Sequence, residues 1–360
     1  MAKEGIDVGV SRLARGERRP TRAVWALAVW GVLVGTPVSA SERDVSEGIE
    51  PPDVYRLTLE LHAELERVRA ALKAEVVGPS LIQVREAAPR EVYFQARALF
   101  DRANELCFDQ ARELTRAPGP PAATPRPADV YEVVQAALGR VRCVARALDL
   151  QGGSDPQTRD ETKTPSDVFL SILRAKRQLN RLVESPLSER EAFQEVTLAV
   201  ALLARLIAEE PGRPRIPLPP PLDPARGLGD AHAELIRCFE RVRALAPRYG
   251  ATALILESSA SEGQAPTPAD VHELAGLVVS ELVHLHAQRP QLGPALLPVD
   301  PGPKSPAQVY QRVQVLSLQL SALEQAPASA TSAGVREASG QRLDRVPARG
   351  VAAGSLPGGD

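Results

Sequence analysis

Histidine and cysteine are the residues of this chain with the most distinctive chemistry, and their spacing limits the reactions that the sequence can suggest. The five histidines include the near neighbours His284 and His286, but a separation of two places these side chains on different faces of a helix. The sequence contains no HExxH or CxxC motif for a metal and no CxxCH motif for covalent haem. His232 and His272 occupy a position that aromatic residues fill elsewhere, which favours packing. The sequence therefore predicts no metal site and no cofactor.

Motifs that place a nucleophile or cradle a phosphate are also missing. There is no GxGxxG, P-loop or GxSxG stretch, and glycine-rich strings occur only in connecting segments and in the tail. A catalytic pair cannot be selected from the 45 acidic residues by spacing alone. The sequence thus favours a protein that is not an enzyme and assigns no catalytic residue, but it leaves the question open.

Arginine pairs offer a candidate binding site, because Arg-Val-Arg occurs three times. A guanidinium holds a carboxylate or phosphate in a two-pronged geometry, so these pairs could bind an anion such as an envelope glycan or a lipid head group. The alternative is that their methylene chains cover the apolar core while the charges pair with Glu66 or Glu240. The candidate residues are Arg67, Arg69, Arg140, Arg142, Arg241 and Arg243.

Three cysteines leave at least one thiol unpaired within a monomer. Cys107, Cys143 and Cys238 all fall in predicted helices at apolar positions, where cysteine behaves as a small hydrophobic residue. This interpretation is the favoured one, and a Cys107–Cys143 disulfide is the alternative that the sequence does not establish.

The elements that position these residues begin at a recurring hexapeptide. TPSDVF at 164–169 returns as TPADVH at 267–272 and SPAQVY at 305–310, with looser copies at 50–55, 88–93 and 126–131. Its valines are 38 residues apart in two runs, which indicates repeated supersecondary units: Val54, Val92, Val130 and Val168, then Val271 and Val309. The motif is typical of a helix start: Thr164 caps, Pro165 takes the first helical position and Asp167 faces the helix dipole.

A heptad pattern follows each copy of the hexapeptide. Apolar residues recur at offsets 0, 4, 7, 11 and 14 from the valine, and we call these positions the seam. The same spacing also starts at Ala192 and Ala231, so the sequence predicts eight helices. Their expected ranges are 52–74, 90–115, 128–149, 166–184, 189–209, 230–246, 269–287 and 306–325.

The predicted fold is all-α, with eight heptad-patterned helices from repeats of about 38 residues arranged as two tandem four-helix bundles. One continuous array is the alternative. We expect antiparallel neighbours, although the long links could also run back along a helix. The proline-rich stretch 213–224 is expected to be a stiff spacer or a ligand for a partner's groove, and 76–84 and 251–257 should pack on the helices. The expected divisions are 1–40 signal peptide, 41–50 linker, 51–186 and 187–325 the two helical units, and 326–360 a disordered tail.

The first forty residues predict export. Arginines precede an apolar run at 23–34, and Val38-Ser39-Ala40 matches a cleavage site after Ala40. The run is short for a membrane span, so we expect a periplasmic or secreted protein with no stable span after cleavage. The alternative is an inner-membrane anchor through 23–34.

Three functions compete. The leading prediction is a non-catalytic binding or scaffolding protein of a bacterial-type cell envelope, since helical repeats make extended surfaces for a protein or another envelope component. The alternatives are a small-molecule-binding or sensory bundle and an enzyme with an unrecognised site. The net charge of −2 argues against a nucleic-acid partner.

Overall fold

The computed structural model describes residues 48–78, 80–121, 124–153, 157–207, 215–258, 265–289 and 302–325. The predicted signal peptide and the predicted disordered tail lie outside these residues. The described part is mostly helical, as expected. Its helices are α1 (Pro51–Ala71), α2 (Pro89–Ala111), α3 (Pro127–Ala147), α4 (Pro165–Leu182), α5 (Glu189–Ile207), α6 (Leu228–Leu245), α7 (Pro268–Ala287) and α8 (Pro306–Glu324).

The helix starts use the predicted side chains. The Thr164, Thr267 and Ser305 hydroxyls each accept a hydrogen bond from the backbone N–H three residues later, at 3.3, 3.3 and 3.4 Å. In each of the eight described helices, the side chain of the residue just before the seam also accepts a hydrogen bond from the backbone N–H of the capping residue. This bond gives a partner to a backbone donor that has none within the helix. These acceptors are Asp53, Glu91, Asp129, Asp167, Glu191, Asp230, Asp270 and Gln308.

Every seam residue of the eight described helices is buried. The helices contact one another as two rings, which we call the first set (α1–α4) and the second set (α5–α8). In the first set α1 and α2 each contact α3 and α4, and in the second set α5 and α6 each contact α7 and α8. Each set thus encloses an aliphatic interior made by its seams.

The helices within each set run parallel, so the expectation of antiparallel neighbours is wrong. In the first set, the opening prolines and first seam valines of α1 to α4 line one shared depression. In the second set, residues near the starts of different helices contact each other: His272 of α7 lies 4.0 Å from Glu195 of α5, and Arg312 of α8 donates to Thr197 of α5 at 3.0 Å.

Parallel order is possible because the connections run back along the helices. The segment after α2 returns beside it: Asn104 binds Thr115 through two hydrogen bonds, and Arg97 donates to the Pro118 carbonyl. Proline keeps such a segment extended, at about 3.1 Å per residue against about 1.5 Å in a helix. The sequence left both helix directions open because these links are long enough for either.

Two short strands join the sets. β1 (Ile82–Arg85) pairs antiparallel with β2 (Ile255–Ser258), with Gln83 opposite Glu257. Both lie in the apolar stretches that were expected only to pack on helices. β1 contacts α4 and β2 contacts α6, so the pair bridges the first and second sets.

A disulfide links Cys107 of α2 to Cys143 of α3, with 5.9 Å between the Cα atoms. Cys238 is a free, buried thiol whose pKa is raised to about 12 by burial. Among the described helices, none is long and apolar enough to cross a membrane.

Candidate functional site: a charged layer between the two sets

The most unusual feature of the described residues is a group of ionisable side chains between α2 and α4 on one side and α5 and α7 on the other. We call it the charged layer. Burying charges away from water costs several kcal/mol per ion unless each is paired and hydrogen-bonded, so such a layer needs a physical account. Its members are Arg90, Glu91, Arg102, Lys176, Arg177, Glu195, Asp270, His272, Glu273 and Glu281.

Helix α7 brings the layer together because it carries two stripes. One is its apolar seam, packed inside the second set. The other begins at Asp270 and continues through Glu273, Leu277 and Glu281, all 4% exposed or less. The spacing of three or four residues keeps these side chains on one helix face, which points toward the first set.

Arg177 of α4 reaches this second stripe near the start of α7. Its guanidinium donates to Asp270 and, at 3.1 Å, to Glu273, and all three side chains are buried. Burial pushes the pKa of Asp270 upward, but hydrogen bonds from Arg177 and Thr267 outweigh it and leave the pKa below its ordinary value. Burial dominates at Glu273 and raises its pKa to about 7. The helix-capping acid of α7 therefore also holds a cross-interface ion pair.

Arg90 of α2 occupies the other end of the stripe. It pairs with Glu91 and donates to Glu281 at 3.4 Å, and it also donates to the Thr252 carbonyl. Glu91 and Glu281 are 1% and 2% exposed; Glu91 Oε1 lies against the Arg90 guanidinium without an aligned hydrogen bond, and Glu281 Oε1 has no hydrogen-bond partner. Burial, followed by the neighbouring Glu91, raises the pKa of Glu281 to about 8, and burial also raises the pKa of Glu91.

Lys176, Glu195 and His272 lie between these two ends. Lys176 donates to Gln95 at 2.6 Å, and burial lowers its pKa. Burial also raises the pKa of Glu195 to about 7 and lowers that of His272 to about 3, where Lys176 and Arg102 add to the effect. Gly276 leaves open the space beside Glu195: a Cβ placed there would lie 3.7 Å from Oε1.

The layer can therefore bind protons near neutral pH, because several of its carboxyl groups titrate far above the ordinary range. A metal site is another matter. Within the described residues, the only three potential ligands whose atoms lie within 4.8 Å of one another are Cys107, Glu113 and Cys143. Two of these are joined as a disulfide, so their sulfurs are not free thiolates.

The six arginines proposed for anion binding lie apart from the layer, on α1, α3 and α6. Arg67 and Arg69 hold Glu64 and Glu66, and Arg142 pairs with Glu60. Arg140 lies against Cys107, with 3.7 Å between Nη1 and Sγ. On α6, Arg243 pairs with Glu240, and Arg241 holds Glu324 while donating to Ser317 and Ser321. An anion would compete with these carboxylates at most of the six positions.

Sequence reasoning missed the charged layer. A signal was present in α7, where the acids Glu273 and Glu281 interrupt an otherwise apolar helix at positions eight residues apart. The identity of the opposing arginines depends on how the two sets pack, and no local pattern specifies that.

Comparison of the chain with known protein families, with characterised proteins and with solved structures finds no match.

Proposed function

We propose that this chain is an exported, non-catalytic protein that binds or scaffolds a partner in a bacterial-type cell envelope. In this proposal the two sets are tandem four-helix bundles built from repeats of about 38 residues. Their interiors are filled by aliphatic seams, so recognition belongs on the surface. The partner is a protein or another envelope component.

Two features support export to a periplasmic or extracellular compartment. Residues 1–40 have the order of a signal peptide, with basic residues, an apolar run and small residues before the cleavage position. The Cys107–Cys143 disulfide would persist in an oxidising compartment. An anchor through residues 23–34 is the alternative arrangement.

A proline-rich surface segment carries the binding part of the proposal. We call residues 215–224 the proline strip. Its apolar side chains face solvent: Leu218 is 90% exposed, Ile216 52% and Leu222 48%. Exposed leucines in an apolar cluster mark an interaction site more often than a folding requirement.

The strip is held in place although its side chains are exposed. Gln319 of α8 is fully buried and donates to the Arg215 carbonyl at 2.6 Å, while Gln311 donates to the Pro220 carbonyl at 2.6 Å. These glutamines are eight residues apart, about 12 Å on a helix, and five polyproline II residues span about 15 Å. An extended segment antiparallel to α8 fits both bonds.

The burial pattern also fits polyproline II geometry. Pro217 and Pro220 are half-buried, whereas Leu218, Pro219 and Pro221 are exposed, and a period of three matches that helix. A segment ordered before binding loses little entropy when it binds. An aromatic-lined groove, which recognises proline side chains in this conformation, is the chemistry expected of the partner.

Site-specific crosslinking tests the proposal. A photoreactive amino acid replaces Leu218 in cells of the source organism, and the matched control carries it at Val76, which is 76% exposed but outside the strip. We expect one defined product from position 218 that is absent from position 76. The product should disappear when a peptide of residues 215–224 competes, and the purified partner should bind the wild type at least tenfold more tightly than Leu218→Asp. Equal products from both positions, or none from position 218, would contradict the strip as the binding surface.

A small-molecule-binding or sensory protein is the second candidate. The charged layer favours it, because a buried group of acids, bases and histidines is able to respond to a change in proton or ligand concentration. Native mass spectrometry of the purified chain separates the two readings: a bound mass lost on denaturation supports the second candidate.

A further inference from the structure

The Arg90, Glu91 and Glu281 group has one cation for two buried carboxyl groups. Both carboxyl groups lie where α2 meets α7: Glu91 Oε1 is in an ion pair with Arg90, and Glu281 Oε1 has no hydrogen-bond partner. Two ionised carboxylates would give this buried group a net charge of −1, whereas one shared proton makes it neutral and supplies a donor. A neutral group is far less costly to bury than an unbalanced charge.

We propose that one proton shared by Glu91 and Glu281 controls how tightly the first and second sets pack together. With the proton bound, the interface between α2 and α7 is closed. When the proton leaves, the two carboxylates repel each other and draw water, and the interface loosens. This inference rests on the charged layer and is independent of the proline strip.

The direction of the pH dependence follows from the titration behaviour. The pKa of Glu281 is raised from its ordinary 4.5 to about 8 in the folded chain. A raised pKa means that the closed form binds the proton more tightly, so its contribution is complete below pH 4.5 and is lost as the pH rises through about 8. Glu195 and Glu273, with pKa values of about 7, act in the same direction.

The surrounding groups set the acid limit of this behaviour. Burial lowers the pKa values of His232, His272 and His284, so each opposes closure when the pH falls below about 6.5 and the histidine gains charge in the open form. Interface closure should therefore be strongest between about pH 5 and pH 6.5, where the gain from the carboxyl groups meets the loss from the histidines. The remaining charged groups that face α7 are Arg90, Glu91 and Arg102 from α2, Lys176 and Arg177 from α4, and Glu191 and Glu195 from α5.

The strand pair reports on this interface because β1 belongs to the first set and β2 to the second. Separation of the sets would break its hydrogen bonds while each set keeps its own core. Amide hydrogen exchange at residues 82–85 and 255–258, divided by the intrinsic chemical rate at each pH, therefore measures opening.

The experiment compares the purified wild-type chain with Glu281→Gln and with a matched control, Glu240→Gln, whose side chain is 45% exposed on α6. In the wild type we expect strand protection to fall by at least tenfold as the pH rises from 6.5 to 8 and to level off between pH 8.5 and 9, because the open form has already lost the proton at pH 6.5 whereas the closed form keeps it up to about pH 8. Glu281→Gln is a neutral isostere and should show a fall about tenfold smaller over this range, because only Glu195 and Glu273 still contribute, whereas Glu240→Gln should keep the full fall. Protection within α6 should stay unchanged in all three chains.

Three results would overturn the inference: no fall in strand protection between pH 6.5 and 8 in the wild type, an equal fall in Glu281→Gln, or a parallel loss of protection in α6 that marks global unfolding. If Glu281→Gln does not fold, Glu91→Gln takes its place, because Gln308 already serves at the equivalent capping position of α8. X-ray scattering of the wild type gives a second measurement: the radius of gyration should rise between pH 6.5 and 8.5.

Discussion

At the scale of the residue, position within the fold decides what a repeated side chain does. The polar residue before each seam caps its helix, and at α3 Asp129 contacts the backbone and the side chain of the capping Arg126. At α7 the equivalent Asp270 uses Oδ2 for the cap and Oδ1 for Arg177, and at α2 Glu91 caps with Oε2 while Oε1 pairs with Arg90, which also reaches Glu281 of the second set. Carboxylates have two oxygens, so one can serve folding while the other serves the interface.

Seam substitutions test the burial at this scale. Leu179→Asp and Val130→Asp place a charge at positions that are 0% and 2% exposed. We expect each to destabilise the chain by at least about 4 kcal/mol and to unfold it at room temperature, because folding would transfer an unpaired charge from water into the apolar interior. Urea unfolding followed by circular dichroism measures this. Val76→Asp is the control, since its side chain is 76% exposed and should change stability by less than about 0.5 kcal/mol. A folded Leu179→Asp would contradict the seam.

At the scale of the element, the sequence predicts what is local and misses what depends on packing between sets. The helices were predictable because each helix cap and its apolar spacing lie within about twenty consecutive residues of the sequence. The strands at Ile82–Arg85 and Ile255–Ser258 were not, because each is a short apolar run whose partner lies far along the chain. The charged layer was not predicted for the same reason: the role of Arg177 can be recognised only once the packing of the two sets places it beside Asp270.

Arg177 connects two elements, so its removal should act on the interface more than on either helix. Arg177→Met keeps most of the side-chain volume but leaves Asp270 and Glu273 buried without their cation. At pH 8 we expect the free energy of unfolding to fall by about 3–5 kcal/mol. The loss should be smaller at pH 5.5, because the pKa of Glu273 is about 7 and the protonated acid needs no cation.

Denaturant unfolding at the two pH values measures this difference. Arg243→Met provides the matched control, since Arg243 is 39% exposed and its partner Glu240, on the same helix α6, is 45% exposed. This control should lower the free energy of unfolding by less than about 1 kcal/mol at either pH. An equal loss at pH 5.5 and pH 8 for Arg177→Met would argue that Glu273 is already ionised at the lower pH.

At the scale of the whole molecule, the parallel order of the helices explains the proline content. Four parallel helices in one set require each connection to travel the full length of the set, and proline-rich chain does so without forming a competing helix. Among the described residues, proline thus serves helix starts, as at Pro165, and return segments, as at Pro118. The proline strip is one of these return segments, and its exposed leucines distinguish it from a connection alone.

The length of a return segment can be tested through the disulfide. α2 has 23 residues and is about 35 Å long, and the fifteen residues from 112 to 126 span up to about 46 Å when extended. Deleting 114–124 leaves four residues, which reach only about 14 Å and cannot return along the helix. The variant is therefore forced toward an antiparallel α2–α3 pair, in which Cys107 and Cys143 lie at opposite ends.

Counting thiols after denaturation without reductant distinguishes the two orders. The wild type should show one free thiol, from Cys238, whereas the deletion should show three because Cys107 and Cys143 no longer meet. In the control, six Gly and Ser residues are inserted after Gly119. This variant should keep one free thiol, and its free energy of unfolding should fall by only a few tenths of a kcal/mol, because the entropy cost of closing a loop grows slowly with its length. A deletion variant that remains a monomer with one free thiol would show that the return path is not required, and parallel order would then need another cause.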